Sequence, residues 1–329
     1  MDRRERLCSL FDASGFGLEI GPSYSPVLPK SAGYRVETLD YASQEELRAK
    51  YRGDSVDIDR IEPVDYVSDG RPMREVIGAV GRYDFILASH VIEHTPDLVG
   101  FLSDCEALLK PGGVLVLALP DKRCCFDLMV PPTRTGEILD AHALRRTRPS
   151  PGAVFTQIAY AVKKDGATGW PLADTRDCQL AHDLATAARQ ADRVSQTNAY
   201  VDVHVWRFVP ASFRLIIGDL RAIGAISLGI EAMHVSEEIV AVLSREAPVS
   251  GEDRLALMAE MNAPAPDPAA RQAEAIADVA RAERDAALSR LAEAEAEIEA
   301  LADRVAALEG STSWRLTAPM RALVQRTRG

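Results

Sequence analysis

From Tyr83 to Asp121 the chain reads as a short apolar run, a polar turn, an amphipathic stretch and a second apolar run. Phe85–Ala88 has the length and composition of a strand buried on both faces. Ser89–Asp97 is an acidic, histidine-bearing turn. Leu98, Phe101, Leu102, Cys105, Leu108 and Leu109 then recur at the spacing of one buried helix face. Lys110-Pro111-Gly112-Gly113 stops that helix with a cation, a proline and two glycines. Val114–Leu119 is the second strand, closed by Pro120. A strand–helix–strand unit of this kind pairs its strands in parallel, and the loops after both strands fall on one edge of the sheet.

The same alternation precedes it. Residues 2–13 suit a short amphipathic helix, Gly17–Ile20 a strand, and Tyr34–Leu39 a second strand ending at Asp40. Ser43–Arg52 suits a helix with Ser43 as N-cap and Glu45 and Glu46 in its first turn. Val64–Val67 is a weak third strand and Pro72–Val80 a helix. Strand–helix alternation implies an α/β fold with a doubly wound, mostly parallel sheet. The pattern breaks over residues 122–200, where helical pieces are expected near Gly136–Leu144 and Leu180–Ser195. An excursion this long after a strand suits a lid or substrate-binding insertion. Regular structure resumes with a helix over Pro210–Ile223. Two strands follow, Ala225–Glu231 and Glu238–Leu243, too close in sequence for a crossover and hence antiparallel.

Beyond residue 246 the texture changes. Residues 247–269 end in Asn262–Ala269, a proline–alanine linker. Residues 270–310 turn to Ala, Glu, Arg and Leu. With Leu291, Ile298 and Val305 at position a and Ala294, Leu301 and Leu308 at d, they suit a coiled coil joining copies of the chain. A lone solvated helix held by charge pairs is the other reading. Residues 311–329 carry four arginines and no acid among Trp314, Leu316, Met320, Leu323 and Val324. Such a basic amphipathic tail suits contact with an anionic membrane surface or a cap on the coil.

Composition then removes alternatives. The chain has 329 residues, a net charge of −11 and no dense basic block before its C-terminus, which argues against nucleic acid as a partner. No apolar run reaches the roughly 20 residues of a membrane span, and the opening MDRRERLCSLF lacks the apolar core of a signal peptide. Five cysteines, with Cys124 and Cys125 adjacent, form neither a disulfide framework nor a CxxC pattern. A cytoplasmic protein, peripheral at most at the inner face of the membrane, is expected.

The phrase D-F-I-L-A-S-H-V-I-E-H followed by L-L-K-P-G-G-V-L-V-L-A-L-P-D resembles the fourth and fifth strands of class I S-adenosylmethionine-dependent methyltransferases. The resemblance covers roughly Gly15–Arg245 and implies a Rossmann-like, seven-stranded sheet finished by an antiparallel strand pair. A methyltransferase domain is thus expected over residues 1–246, with S-adenosylmethionine as cofactor. It also implies that Glu19, Gly21 and Pro22 form the first cofactor loop, that Asp40 takes the ribose, that Ser68 and Asp69 border the adenine, and that Ser89 and His90 border the methyl group. Pro22, Ser23 and Ser25 depart from the glycines of the E-x-G-x-G-x-G pattern. The tail S-T-S-W-R-L-T-A-P resembles tails on bacterial glycosyltransferases and associated methyltransferases of surface-polysaccharide pathways. It points to O-methylation of a sugar or glycan precursor and to a glycosyltransferase partner. A methyltransferase-like scaffold without catalysis is the alternative that the depleted glycine loop keeps open. A nicotinamide-linked enzyme needs a glycine-rich turn that is missing.

Methyl transfer to a hydroxyl needs alignment and a proton acceptor. On a helical turn His90, Glu93 and His94 share one face. Three readings follow: Glu93 and His94 brace the turn, His90 or His94 is a general base, or His90, Glu93, His94 and His204 hold a divalent metal. Small-RNA 2′-O-methyltransferases use a comparable cluster for magnesium. Bracing asks least, so no metal is assigned from sequence. Asp121 joins His90 and His94 as a candidate catalytic group at the cleft mouth. Arg123, Asp127, His204 and Trp206 are candidate acceptor contacts; the last two alternate along an extended stretch with Asp202, as in a sugar-stacking platform.

Overall fold

The computed structural model describes residues 3–263, apart from 173, 175 and 198, and scattered residues between 284 and 321. The chain divides into two units, residues 1–265 and 266–329.

The first unit is built on a seven-stranded sheet. Strands β1 (Gly17–Ile20), β2 (Val36–Asp40), β3 (Tyr66–Val67), β4 (Tyr83–Ser89) and β5 (Leu109–Pro120) run parallel. They are followed by β8 (Gly229–Val235) and β9 (Glu238–Ser244), and the order across the sheet is β3-β2-β1-β4-β5-β9-β8. Strand β9 runs antiparallel to both β5 and β8, as the short link between them dictates. The strand order reverses direction between β1 and β4, so the crevice of the sheet opens at their C-terminal ends. Leu87, Val116 and Leu117 are wholly buried, as expected of central strands covered on both faces.

Helix boundaries follow local chemistry. Helix α1 (Arg3–Cys8) is shorter than the stretch 2–13. Helix α2 (Gln44–Lys50) starts where Ser43 and Glu46 form a reciprocal capping box. Helix α3 covers Met73–Ile77. Helix α4 (Leu98–Leu108) is capped by Asp97, which accepts from Gly100 N at 2.8 Å, and it buries Leu98, Phe101, Leu102, Cys105 and Leu108.

The insertion between β5 and the closing strands is more ordered than its composition suggests. It holds α5 (Thr135–Ala143), α6 (Pro151–Tyr160), a two-stranded ribbon of β6 (Val162–Lys163) with β7 (Gln179–Leu180), and α7 (Leu184–Gln196). Helix α6, with Pro151 at its first turn and Ser150 as cap, falls in a stretch that carries no strong apolar period. Helix α8 (Pro210–Ala222) then leads back to β8.

The boundary expected at 246 lies later. Helix α9 (Arg254–Asn262) inserts Leu257 and Met261 among Val209, Ala211 and Leu215, and Arg214 pairs with Glu252 and Glu260. Residues 247–263 therefore belong to the first unit rather than to a linker. Most of the expected coiled coil over 270–310 and of the tail over 311–329 lies outside the described residues. Those described within 270–310, including Ile298, Leu301 and Val305, are helical and exposed, and in the tail the Arg321 guanidinium stands 3.7 Å from the Trp314 ring centroid. Among the described residues no helix is long and apolar enough to cross a membrane.

Candidate functional site

The turn after β1 is held from beneath. Glu19 is 1 % exposed and accepts from Val27 N at 2.7 Å and Leu28 N at 3.0 Å. Burial raises its pKa to about 7 against those two hydrogen bonds. Both oxygens thus brace the loop from inside. Gly21 takes φ +65°, and a Cβ there would stand 2.9 Å from Val91 Cγ2. Pro22 follows, and Ser23 adopts φ +48°, the left-handed region where glycine would ordinarily stand. The turn therefore keeps the conformation of a glycine loop at a serine. Ser23 Oγ is buried and makes no hydrogen bond among the described residues.

Asp40, at the end of β2, sits beside this turn and accepts from Ser23 N at 2.9 Å and Tyr41 N at 2.8 Å. Burial raises its pKa, and the two N–H groups oppose that rise. Ser68 is joined to β2 through its N–H to Asp40 O at 2.7 Å, while Asp69 is exposed and pairs with Arg71 at 2.7 Å.

At the end of β4, Ser89 Oγ accepts from Arg3 Nη2 at 2.7 Å. His90 is a second non-glycine residue in the left-handed region, at φ +55°. That conformation takes it out of the 3-10 turn Ile92–His94, so His90 does not continue one helical face with Glu93 and His94. Its ring instead stands 3.3 Å from Glu238 Oε2 and 3.4 Å from Glu93 Oε1. Burial would lower the His90 pKa, but the two carboxylates outweigh it and hold it at about 9. Glu238, also bound by Arg3 at 2.8 Å, is brought down to about 2 by these partners against the effect of burial. At neutral pH His90 is therefore protonated and not a free base.

Glu93 is wholly buried, and neither carboxylate oxygen accepts a hydrogen bond among the described residues. Its backbone oxygen accepts from Val205 N at 2.6 Å and Trp206 N at 3.1 Å. Those bonds fasten the 3-10 turn to the segment that carries His204. His94 Nδ1 lies 2.8 Å from Asp202 Oδ1, and the two carboxylates Asp202 and Glu93 raise its pKa against burial. The rings of His94 and His204 meet edge to face, centroids 4.7 Å apart. His204 Nδ1 lies 2.5 Å from Asp127 Oδ2, and Asp127 Oδ1 is 3.3 Å from Arg207 Nε.

Several sequence expectations change here. Asp121 is fully buried and gripped by Arg123, with Nη2–Oδ2 at 2.5 Å and Nε–Oδ1 at 2.9 Å; neither is free at the cleft mouth. Asp127 is an interior brace for His204 and Arg207. Trp206 is 5 % exposed, lies in the main core and donates from Nε1 to Thr95 O at 2.7 Å. Asp202 is exposed while His204, Trp206 and Arg207 are buried, so no stacking platform forms. The segment is held as coil by tertiary bonds, and strand alternation does not apply to it.

Arg3 and Glu238 were not singled out from sequence. Glu238 opens β9 opposite Pro120, which carries it to the edge where β4 ends. The only local signal was an acid at the start of an otherwise apolar strand.

A family described as "Methyltransferase domain" matches residues 1–177. A ubiquinone biosynthesis O-methyltransferase of Rhodopseudomonas palustris is 50 % identical over 46 residues, 14 % of this chain and 18 % of that protein. Its counterpart in Parvibaculum lavamentivorans is 44 % identical over 45 residues, 13 % of this chain and 18 % of that protein. The chain thus spans under a fifth of the length of these curated relatives. Among solved structures, the CcbJ methyltransferase from Streptomyces caelestis aligns at 13 % identity and a TM-score of 0.38, covering 73 % of this chain and 92 % of that one.

Proposed function

The chain belongs to the methyltransferase-domain family, and from that premise we propose that it methylates a hydroxyl group with S-adenosylmethionine as donor. The observation that carries the reading is the turn after β1. Gly21 and Ser23 are both left-handed there, and the Ser23 hydroxyl is buried without a hydrogen-bond partner among the described residues, beside the Asp40 carboxylate. A polar atom left unbonded in the protein interior costs about 1–3 kcal/mol, and a polar ligand at this turn offsets that cost. The residues therefore fit the cofactor.

Gly21, Pro22 and Ser23 would hold its amino-acid end, Asp40 its ribose, Ser68 and Asp69 the adenine side, and Ser89 and His90 the sulfonium side. When bound, the donor supplies an electrophilic methyl group on a positively charged sulfur. Glu19 keeps the turn in place, and Gly21 keeps it close to Val91. His90, held protonated, and Asp121, bound by Arg123, are not placed to take the hydroxyl proton, which leaves the site around His94 and His204 for that step. Hydroxyl acceptors are supported by the O-methyltransferases that share the matched segment. A sugar or glycan precursor of a surface polysaccharide, with a glycosyltransferase as partner, is the class that the Ser311–Pro319 sequence supports.

The test is calorimetric titration of the purified chain with S-adenosylmethionine, S-adenosylhomocysteine and NAD, beside Asp40→Ala and Asp40→Asn variants. Micromolar binding of both sulfur ligands, at least tenfold weaker in the variants and absent for NAD, is the expected result. Failure of folded wild-type protein to bind either ligand overturns the reading in favour of a non-catalytic scaffold.

A further inference from the structure

We propose that Glu93, His94 and His204 form a site for one divalent transition-metal ion of the zinc type. The inference deepens the O-methyltransferase reading and rests on it for the purpose of the site, though not for the ligand set.

One donor atom from each of the three residues lies within 4.8 Å of the others. Glu93 is the decisive member. A carboxylate at 0 % exposure with no hydrogen bond to either oxygen among the described residues is among the most expensive groups a protein can bury. The His90 ring stands 3.4 Å from Oε1.

His204 is prepared as a ligand. With Nδ1 bonded to Asp127 at 2.5 Å, its other nitrogen is left to present a lone pair. A carboxylate behind a ligating histidine fixes the tautomer, turns the ring and raises its basicity. Arg207 and the Asp127 carboxylate hold each other in turn. Asp202 Oδ1 also lies 2.8 Å from His94 Nδ1, at a geometry that makes no hydrogen bond. The ligand-bearing segments are also tied to each other, since Val205 N and Trp206 N both donate to Glu93 O. Two imidazoles and one carboxylate suit zinc and the neighbouring first-row ions, whereas magnesium and calcium favour oxygen ligands.

An ion there gives the proposed reaction its proton chemistry. Coordination of an acceptor hydroxyl lowers its pKa. The hydroxyl then loses its proton to solvent, its oxygen forms a bond to the methyl carbon, and the carbon–sulfur bond breaks with its electron pair passing to sulfur. The products are the methyl ether, the neutral thioether and one proton.

The full chain, without a histidine tag and stripped by chelator, is titrated with zinc, manganese and magnesium chlorides by calorimetry, with bound metal counted by mass spectrometry. One equivalent of zinc, no saturable magnesium binding, roughly 10–100-fold weaker zinc binding in Asp127→Asn and loss in Glu93→Gln and His204→Gln are expected. Circular dichroism confirms that each variant is folded. Cobalt substitution gives an independent reading: d–d bands without a thiolate charge-transfer band are expected. Absence of zinc binding by the folded wild type overturns the proposal. So does zinc binding retained in folded Glu93→Gln but lost in Cys125→Ser, which assigns the ion to the neighbouring Cys125, Asp127 and His204. S-adenosylmethionine binding is measured on the same stripped protein. If it persists while zinc fails, only the metal assignment falls; if it fails as well, the methyltransferase reading falls with it.

Discussion

Gly21 meets two demands at once, a φ of +65° and an approach to Val91 that leaves no room for a Cβ. Alanine there incurs the left-handed penalty, about 1–2 kcal/mol, and a clash that moves the loop. Gly21→Ala is expected to lower the denaturant midpoint and to weaken S-adenosylmethionine binding at least tenfold. Adding Val91→Ala should recover part of the stability, because it relieves the clash and leaves the dihedral cost. Glu19 supplies a pH signature. Its pKa is about 7 in the fold against an ordinary 4.5, so between those values the folded chain holds a proton that the unfolded chain has released. Stability contributed at this site therefore falls as pH rises from 4.5 to 7, by an amount on the order of 3 kcal/mol. Urea unfolding at pH 5 and pH 7.5 should show a smaller loss for Glu19→Gln than for wild type; equal losses would assign the slope elsewhere.

Elements explain where these residues stand. Gly17 opens β1 opposite Phe85 on β4, and a Cβ there would lie 2.1 Å from the Phe85 ring. The strand pair at the centre of the sheet closes over that ring, so Gly17→Ala is expected to cost about 1–3 kcal/mol through overpacking. Thermal melts read the effect, and Phe85→Leu should soften it. The N-cap at Ser43 and the buried face of α4 were legible from spacing alone, because both are decided within one or two turns of helix. The helical face drawn through His90, Glu93 and His94 was not. His90 turns left-handed as it leaves β4 and its N–H goes to Ala118 O on β5, a partner that no local period announces.

For the molecule as a whole, the first unit ends after α9. A chain cut at 265 is expected to keep the melting temperature and cofactor affinity of the sheet unit. A cut at 246 removes Leu257 and Met261 from the cluster around Val209 and Leu215 and should lower the melting temperature by several degrees, since each buried aliphatic or methionine side chain contributes about 1.5–3 kcal/mol. Equal melting of the two would show that α9 contributes nothing to the fold.

The family resemblance supplied the glycine turn beside Asp40; local pattern determined the central strands, most helices outside the insertion, the sheet class and the antiparallel finish, although the strand expected at Ala225–Glu231 lies at Gly229–Val235. Each of these depends on side chains a few residues apart, whose period and caps are written in order along the chain. The tertiary structure decided the partners: Arg3 and Glu238 beside His90, Arg123 on Asp121, Asp127 behind His204, and Trp206 in the core rather than in a binding surface. These pairs join segments brought to one sheet edge by strand order and by the path of the insertion. A buried charge takes whichever partner that path delivers, so its role follows from the completed fold.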